Sequence, residues 1–191
     1  MYKLCKLEQS AARQRELEQG LLEMMQTTPF EQISVTDFCT KMQIPRKAFY
    51  RYFTDKEGAL YALIDHTFME YGRFTAKESL ERHSLLGDLE QFFCFWKEQK
   101  FLLDGLSRSN LTDVLVDRIV EQTMESGVIS TFFMSNEPEK LRSAVMRFAL
   151  YGMLAMMLKW YQNGFSTPAS EQAKVMARLL TKPLFQINEI S

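Results

Sequence analysis

The five prolines of this chain stand at the boundaries of long helical patterns, and their positions constrain the fold more than any other feature. They are Pro29, Pro45, Pro138, Pro168 and Pro183. Proline disrupts a helix interior but fits the first helical turn or the residues just beyond the last one. Between the prolines, apolar residues recur at intervals of three and four, and glycine is scarce, with eight in 191 residues. The pattern therefore predicts an all-α protein of one or two small domains.

The N-terminal third is predicted to contain four helices. They cover about residues 8–28, 35–42, 46–53 and a long segment from Thr54 or Asp55 to about Lys77. Ser34 is a predicted N-cap of the second helix, with Asp37 near its positive end. Glycine inside a helix costs about 1 kcal/mol relative to alanine, so Gly20 predicts the close approach of another helix. The break between the second and third helices is expected at Gln43.

The remainder of the chain is predicted to form four more helices. They cover about residues 86–106, 110–134, 138–162 and 168–181. The longest apolar run, residues 148–158, lies inside the third of these and is bounded by Arg147 and Lys159. A bilayer-spanning helix needs about 20 apolar residues, so the run is interpreted as part of a fully buried helix. No Pro/Gly-rich linker separates the two halves.

The three short N-terminal helices, with a tight turn between the second and third, predict a helix-turn-helix. Phe49 and Phe53 are four residues apart and are expected to anchor the third helix to the core. The residues predicted on its opposite side are Arg46, Lys47, Tyr50 and Arg51. Such a surface suits the major groove of DNA, because Arg and Lys contact guanine edges or phosphates.

Local charge supports this interpretation although the whole chain has a net charge of −1. Between Phe38 and Thr54 there are four basic residues and no acidic one, and Lys56 adds a fifth base at the start of the next helix. The ammonium of Lys56 and the helix N-terminus are both candidates to hold a phosphate. The rest of the chain is acidic, so one basic face is expected to meet DNA.

The segments from Phe30 to Cys39 and from Ile44 to Glu57 resemble the N-terminal signature of TetR-family transcriptional regulators. The most specific part is Phe-Tyr-Arg-Tyr-Phe at 49–53 followed by Asp-Lys-Glu at 55–57. The resemblance covers roughly residues 14–63. It implies a helix-turn-helix DNA-binding domain at 1–60 and a helical effector-binding and dimerisation domain at 61–191.

Carried over by position, the resemblance implies DNA contacts by nine residues. They are Ser34, Thr36, Arg46, Lys47, Ala48, Tyr50, Arg51, Tyr52 and Lys56. The first two begin the second helix, where hydroxyl groups bind phosphate. The next three lie at the groove-facing start of the third helix, which the resemblance makes the recognition helix. Tyr50, Tyr52 and Lys56 match positions that hold phosphates, and Arg51 fits either task.

The chain departs from the family pattern at several positions of the helix-turn-helix. Gln43 stands where glycine is usual, Met42 where alanine is usual, and Ala48 where a small polar residue is frequent. The departures at Gln43 and Ala48 support one alternative, a TetR-like coregulator that acts through a protein partner or a bound metabolite. A second alternative is a helical small-molecule-binding protein with no role at DNA.

The segment from Arg147 to Phe165, followed by Ser-Thr-Pro, resembles the last helices of TetR-like regulators, among them a subgroup associated with dihydroxyacetone-kinase regulation. This resemblance implies a homodimer formed through the last two helices and an effector pocket among the middle helices. The candidate pocket residues are Tyr71, Phe93, Trp96, Phe132 and Met153. Aromatic side chains at helical spacing are more often core, so pocket and plain core both stay open. An effector is expected to be apolar or aromatic.

Other functional classes find little support in the sequence. The three cysteines are widely spaced, so neither a disulfide framework nor a zinc site is expected. His66 and His83 are isolated, and no phosphate loop, nucleophile elbow or metalloprotease motif occurs. We therefore expect no enzyme activity, cofactor or metal. Charged residues from Lys3 to Glu8 interrupt any secretory signal, which predicts a cytoplasmic protein.

The basic helix-turn-helix pattern and the family resemblance together imply a homodimeric, ligand-responsive repressor. Two recognition helices would enter successive major grooves of operator DNA, and effector binding would release the operator. The helix that begins near Lys56 would connect the two events. Glu16, Glu18 and Glu23, on the first helix, are interpreted as a solvated face.

Overall fold

The computed structural model describes residues 1–3, 5, 7–78, 84–126 and 138–182, and over these residues the chain is all-α, as predicted. The helices are α1 Glu8–Met25, α2 Val35–Lys41, α3 Arg46–Tyr52, α4 Lys56–Glu78, α5 Leu85–Glu98, α6 Lys100–Arg108, α7 Thr112–Ser126, α8 Glu139–Gln162 and α9 Ala169–Thr181. A short 3-10 helix, Phe30–Gln32, precedes α2. In the described part of the chain, extended pairing is confined to an isolated bridge between Tyr2 and Phe53.

The chain divides into two compact units, and neither is continuous in sequence. The first unit contains Met1–Glu70 and Lys100–Phe132, and the second contains Tyr71–Gln99 and Phe133–Ser191. Helix α4 passes without interruption from the first unit into the second. These two units are defined by which residues pack together. The predicted boundary after residue 60 instead separates a DNA-binding domain from an effector-binding domain, and it stays a prediction.

The first unit has a core of apolar side chains supplied by α1 to α4 and by α6. Its most deeply buried members include Leu17, Leu21, Met25, Ile33, Phe38, Phe49, Phe53, Leu60, Ile64 and Leu103. The rings of Phe38 and Phe49 meet edge to face at 5.4 Å, which joins α2 to α3. A Cβ atom on Gly20 would lie 2.2 Å from the Sδ of Met42. The close approach predicted from Gly20 is therefore confirmed, and its partner is the C-terminal end of α2.

Helix α2 begins with a capping box and ends in a left-handed turn. The Ser34 hydroxyl accepts from the Asp37 N–H at 3.1 Å, and the Asp37 carboxylate accepts from the Ser34 N–H at 3.2 Å. Gln43 then adopts a φ of 52°, the region that glycine occupies most easily. The chain thus makes the tight turn before α3 with glutamine where the resemblance leads one to expect glycine.

Replacing Ser34 with alanine is expected to lower the free energy of unfolding by about 1 kcal/mol, because the N-cap acceptor is lost. Urea unfolding followed by circular dichroism measures the change. Ser34→Thr, which keeps the hydroxyl group, is the matched control and should remain close to the natural protein. Equal losses in both variants would contradict the assignment of the stabilisation to the cap.

The second unit is built from α5, α8 and α9 around a cluster of aromatic side chains. Phe93 meets Trp160 edge to face at 5.6 Å, and Trp160 meets Phe165 at 4.7 Å. The indole N–H of Trp160 donates to the carbonyl of Thr167 at 2.9 Å, which satisfies a polar atom next to the core. This bond ties the end of α8 to the segment that leads into α9.

Two predicted helices of the C-terminal part differ from the structure. The single helix expected at 86–106 is broken at Gln99, where the backbone leaves the helical region and its N–H bonds to the carbonyls of Phe95 and Trp96. The two pieces, α5 and α6, belong to different units, and no proline or glycine marks the break. The helix expected at 110–134 is described only as Thr112–Ser126, and the predicted remainder lies outside the described residues.

The apolar run of α8 is not fully buried, so that interpretation was wrong. Leu154 and Met157 are buried in the second unit, but Phe148 is 72% exposed and Tyr151 is 41% exposed. By length and composition alone, Leu141–Gln162 is a helix long and apolar enough to cross a membrane. The residues of this run are apolar on every side of the helix, but the rest of the chain buries only one part of that surface.

The interpretation of Glu18 as solvated was also wrong. Its side chain is 2% exposed, and both carboxylate oxygens lie 2.9 Å from the Nδ1 of His66 on α4. Burial raises the pKa of Glu18, while the hydrogen bond to His66 opposes that rise. The pair links α1 to α4 across a separation of 48 residues in sequence, which helical periodicity alone does not reveal.

A second buried polar cluster lies close to this pair. Asp65, whose side chain is 3% exposed, accepts two hydrogen bonds from the guanidinium of Arg118, with Nε at 2.7 Å, and one from the Tyr2 hydroxyl at 2.8 Å. Burial, followed by the bond to Asp65, raises the pKa of Tyr2. The hydrogen bond to Asp65 also raises the pKa of Arg118, which stacks on Tyr61 at 4.4 Å. The cluster joins α4, α7 and the N-terminal residues.

Candidate DNA-contact surface

Helix α3 has one buried face and one exposed basic face. Phe49 is 1% exposed and packs between Phe38 and Phe53, which fixes the helix on the first unit. The exposed residues of the helix are Arg46, Lys47, Tyr50 and Arg51. The amphipathic division therefore follows the predicted spacing, and the four candidate contacts share solvent-facing positions.

Two of these side chains are already paired with each other. The Nη2 of Arg46 donates to the hydroxyl oxygen of Tyr50 at 3.1 Å, and the guanidinium carbon lies 5.8 Å from the centre of the Tyr50 ring. The hydrogen bond raises the pKa of Arg46. The two residues are one helical turn apart, so their side chains lie side by side on the exposed face of α3. The positive charge of the pair is that of the Arg46 guanidinium.

The start of α2 is less open to a ligand than predicted. The Ser34 hydroxyl donates to the Asp37 carboxylate at 2.6 Å as part of the capping box, and this bond lowers the pKa of Asp37. Thr36 is exposed on the first turn of the same helix, and Ala48 on α3 is half-buried. Ser34 and Thr36 are both exposed, but the Ser34 hydroxyl is already bonded to Asp37 on both its donor and its acceptor side.

Tyr52 and Lys56 differ most from the expectation for phosphate ligands. Tyr52 is 7% exposed and its ring packs beside Phe53. The Nζ of Lys56 donates to three backbone carbonyls, those of Phe30 and Glu31 at 3.0 Å and that of Ile33 at 3.2 Å. It also lies 4.7 Å from the centre of the Phe30 ring. Contact of either residue with DNA stays a prediction.

The electrostatic character of this surface is positive. The four basic residues between Phe38 and Thr54 are all exposed, namely Lys41, Arg46, Lys47 and Arg51. No acidic residue occurs in that segment. The segment covers the end of α2, the turn and the whole of α3, so the charge is concentrated on the helix-turn-helix.

Neither a protein-family model nor a curated protein matches this chain in sequence. Three solved structures illustrate a match in three dimensions. The dihydroxyacetone kinase operon activator DhaS has a TM-score of 0.56 at 17% identity, over 87% of this chain and 93% of that one. The fatty acid degradation regulator FadR from Bacillus halodurans has a TM-score of 0.60 at 12% identity, with coverage of 90% and 96%. A TetR-family regulator from Streptomyces coelicolor has a TM-score of 0.57 at 21% identity, over 87% of this chain and 80% of that one.

This chain has the fold of TetR-family regulators. At these identities the similarity is one of fold, and it extends beyond the N-terminal segment that carries the sequence resemblance. Within this fold, α2 and α3 are joined by the tight turn at Gln43, and the exposed basic face belongs to the second of these two helices. The solved structures that share this fold are described as regulators.

Four of the five candidate effector residues lie in the second unit, and Phe132 lies outside the described residues. Phe93 and Trp96 are 0% and 1% exposed, while Tyr71 and Met153 are half-buried. The Tyr71 ring contacts Phe95 at 5.2 Å, and burial raises the pKa of Tyr71 to about 12. Phe93 and Trp96 are packed as core residues, so a pocket that includes them stays a prediction.

Helices α8 and α9 carry a set of exposed apolar residues within the second unit. Its members are Leu141, Val145, Phe148 and Tyr151 on α8, and Val175 and Leu179 on α9. We call this set the α8–α9 apolar face. Residues 141, 145 and 148 are separated by four and three positions, which places them on one side of α8. The exposed Gly152 and Ala155 follow at the same spacing.

Sequence reasoning missed the buried polar pairs of the first unit. Asp65 and His66 stand in a segment of α4 that is otherwise apolar, and polar residues at core positions predict buried partners. That signal was available from helical spacing. The identity of the partners, Arg118 and Glu18, was not, since they are 53 and 48 residues away in sequence.

Proposed function

We propose that this protein is a homodimeric regulator that binds operator DNA through α3 and releases it when a small apolar or aromatic effector binds. The observation that carries the proposal is the exposed basic face of α3. That face lies opposite a fully buried Phe49 within a TetR-type fold. A helix anchored on one side and basic on the other fits the major groove, where Arg and Lys contact guanine edges and phosphates.

Among the candidate contacts, two kinds of role follow from their positions. Arg46 and Lys47 stand at the N-terminal end of α3, the end that reaches base edges in helix-turn-helix proteins. Tyr50, Arg51 and the exposed Thr36 are suited to phosphates.

The left-handed conformation of Gln43 is relevant to the alternative of a coregulator that does not bind DNA directly. It indicates that the departure from glycine is accommodated within an intact turn, which favours direct DNA binding.

A homodimer through α8 and α9 is the arrangement that best accounts for the α8–α9 apolar face. A second copy would cover this face by two-fold symmetry and form a four-helix interface. A bilayer is a poorer partner, because Arg147 and Lys159 bound the apolar run at 148–158. That run is much shorter than a bilayer-spanning helix, which needs about 20 apolar residues. The dimer would present two α3 helices about 34 Å apart to one face of DNA.

Effector control would act through α4, the uninterrupted helix that begins beside the DNA-contact surface and ends in the second unit. An effector that prefers one orientation of α4 would shift the spacing of the two α3 helices. Such coupling typically amounts to 1–3 kcal/mol. The direction of regulation differs among proteins with this fold, since DhaS is described as an operon activator and AlkX from a Dietzia strain as a repressor. We propose repression relieved by the effector.

Selection of bound sequences from random duplex DNA tests the proposal most directly. We expect a palindrome to be recovered, with an affinity that falls steeply as salt rises, because several phosphates are contacted. Arg46→Ala and Lys47→Ala should each alter the preferred base at a defined position of the half-site. Absence of any enriched sequence at low salt would contradict the proposal and favour a helical ligand-binding protein.

A further inference from the structure

The segment from Phe30 to Ile33, here called the 30–33 turn, is held from two sides within the first unit. From α4, the Nζ of Lys56 donates to three of its carbonyls. From the residue that follows α6, the hydroxyl of Ser109 accepts the N–H of Phe30 at 3.0 Å in a buried environment. One short turn therefore accepts hydrogen bonds from the first residue of α4 and donates one to the residue that follows α6.

The contacts of Lys56 use its whole donor capacity. A lysine ammonium has three N–H donors, and three carbonyl oxygens lie within 3.2 Å of its nitrogen. The face of the Phe30 ring, 4.7 Å away, adds a favourable interaction with the cation. Lys56 is itself half-buried. A phosphate that took this ammonium would leave part of the carbonyl set without a donor.

The 30–33 turn leads directly into the helix-turn-helix. The residue after it, Ser34, is the N-cap of α2, and α2 contacts α3 through the rings of Phe38 and Phe49. A displacement of the turn would therefore be passed to α2 and then to the recognition helix, since closely packed helices move together. Lys56 stands at the origin of this series of contacts.

We propose that Lys56 supports DNA binding as a positioning residue, which holds the 30–33 turn by its carbonyls, and that it does not bind a phosphate. This inference rests on the proposed function. It replaces the phosphate contact that the family resemblance implies for Lys56, because the geometry commits the ammonium to the protein itself. The Ser109 hydroxyl, which accepts from the Phe30 N–H, holds the same turn by a separate hydrogen bond.

Salt dependence separates the two roles, because a phosphate contact releases counterions and a positioning contact does not. Each lost phosphate contact lowers the slope of log K against log salt by about 0.9. We expect Lys56→Met, which keeps an unbranched side chain but removes the ammonium, to weaken operator binding about tenfold or more with the slope unchanged. The matched control is Arg51→Ala on the exposed face of α3, at a position suited to phosphate contact, which should lower the slope by about 1 per half-site.

Lys56→Arg sharpens the distinction. Arginine is a better ligand for phosphate than lysine, but its planar guanidinium does not fit a point where three carbonyls converge on one nitrogen. We therefore expect Lys56→Arg to bind DNA as weakly as Lys56→Met. Full affinity in Lys56→Arg together with a reduced slope in Lys56→Met would overturn the proposal and restore the phosphate contact. Affinity within twofold of the natural protein in both variants would overturn it as well.

Hydrogen exchange of the DNA-free protein provides a readout that does not depend on DNA. The N–H groups of Gln32 and Ile33 bond to the carbonyls of Pro29 and Phe30. We expect both to exchange faster in Lys56→Met, whereas amides in the middle of α1 should be unaffected. Unchanged exchange at the 30–33 turn would overturn the clamp. Faster exchange in a protein that binds no DNA would instead refute the proposed function while the clamp itself stands.

Discussion

Arg118→Met is expected to lower the free energy of unfolding by about 3 kcal/mol, because it leaves the buried carboxylate of Asp65 without its counter-charge. Breaking a buried ion pair costs about 3 to 5 kcal/mol. The lower end applies here because the Arg118 side chain is 25% exposed and the Tyr2 hydroxyl still donates to Asp65. Urea unfolding at neutral pH measures the change.

The matched control for this variant is Lys100→Met, which removes the cation from an exposed ion pair with Asp104. Exposed pairs contribute about 0 to 1 kcal/mol, so this variant should stay close to the natural protein. The double variant Asp65→Asn with Arg118→Met removes both charges of this pair, so neither is left buried without its partner, and it should recover much of the lost stability. Equal small losses in Arg118→Met and Lys100→Met would show that the buried pair does not stabilise the first unit.

Phe148→Glu is expected to convert a dimer into a monomer. Operator binding should weaken by about the same factor as the dimer dissociation constant rises. Burying a phenylalanine side chain contributes about 1.5 to 3 kcal/mol, and two-fold symmetry applies the change twice. The dimer dissociation constant should therefore rise by about 10² to 10⁴, and the added carboxylates increase the effect. Sedimentation velocity measures the association state, and binding to the selected palindrome measures the consequence.

Phe101→Glu is the control, because Phe101 is also an exposed aromatic residue, 45% accessible, but lies on α6 and outside the α8–α9 apolar face. It should leave the dimer intact, whereas Val175→Glu on α9 should act like Phe148→Glu. A natural protein that sediments as a monomer would contradict the dimer. Recovery of the natural protein in the membrane fraction, and of Phe148→Glu in the supernatant, would assign the face to a bilayer instead.

Most of the helix-turn-helix was predictable because its signals are local. A hydroxyl residue three positions before an acid marked the N-cap at Ser34, and proline marked the start of α3. The spacing of Phe49 and Phe53 was enough to divide α3 into a buried and an exposed face. Proline likewise marked the starts of α8 and α9. Each of these features depends on residues within one or two helical turns of each other.

Local signals also led to specific errors. The helix predicted at 86–106 continues across residues 97–100, although these four polar residues interrupt the apolar spacing between Trp96 and Phe101. Because that interruption contains no proline or glycine, it did not predict the break that separates α5 from α6. Glu18 has charged neighbours in sequence and was interpreted as solvated, although His66 holds it in the interior. The apolar run of α8 was interpreted as buried because composition reports how apolar a surface is and not which chain covers it.

The sequence by itself determined the all-α class, the cap at Ser34, the break at Gln43 and the basic face of α3, because these follow from backbone preferences and short-range periodicity. Only the tertiary structure decided which charged groups are buried and which partners they have. The carbonyls bound by Lys56 lie 23 to 26 residues away, and Arg118 lies 53 residues from Asp65. A charged side chain has several possible partners in sequence, and packing decides which of them comes within bonding distance. For Lys56 the partners are backbone carbonyls, so its expected role at DNA changes from a phosphate contact to a positioning contact.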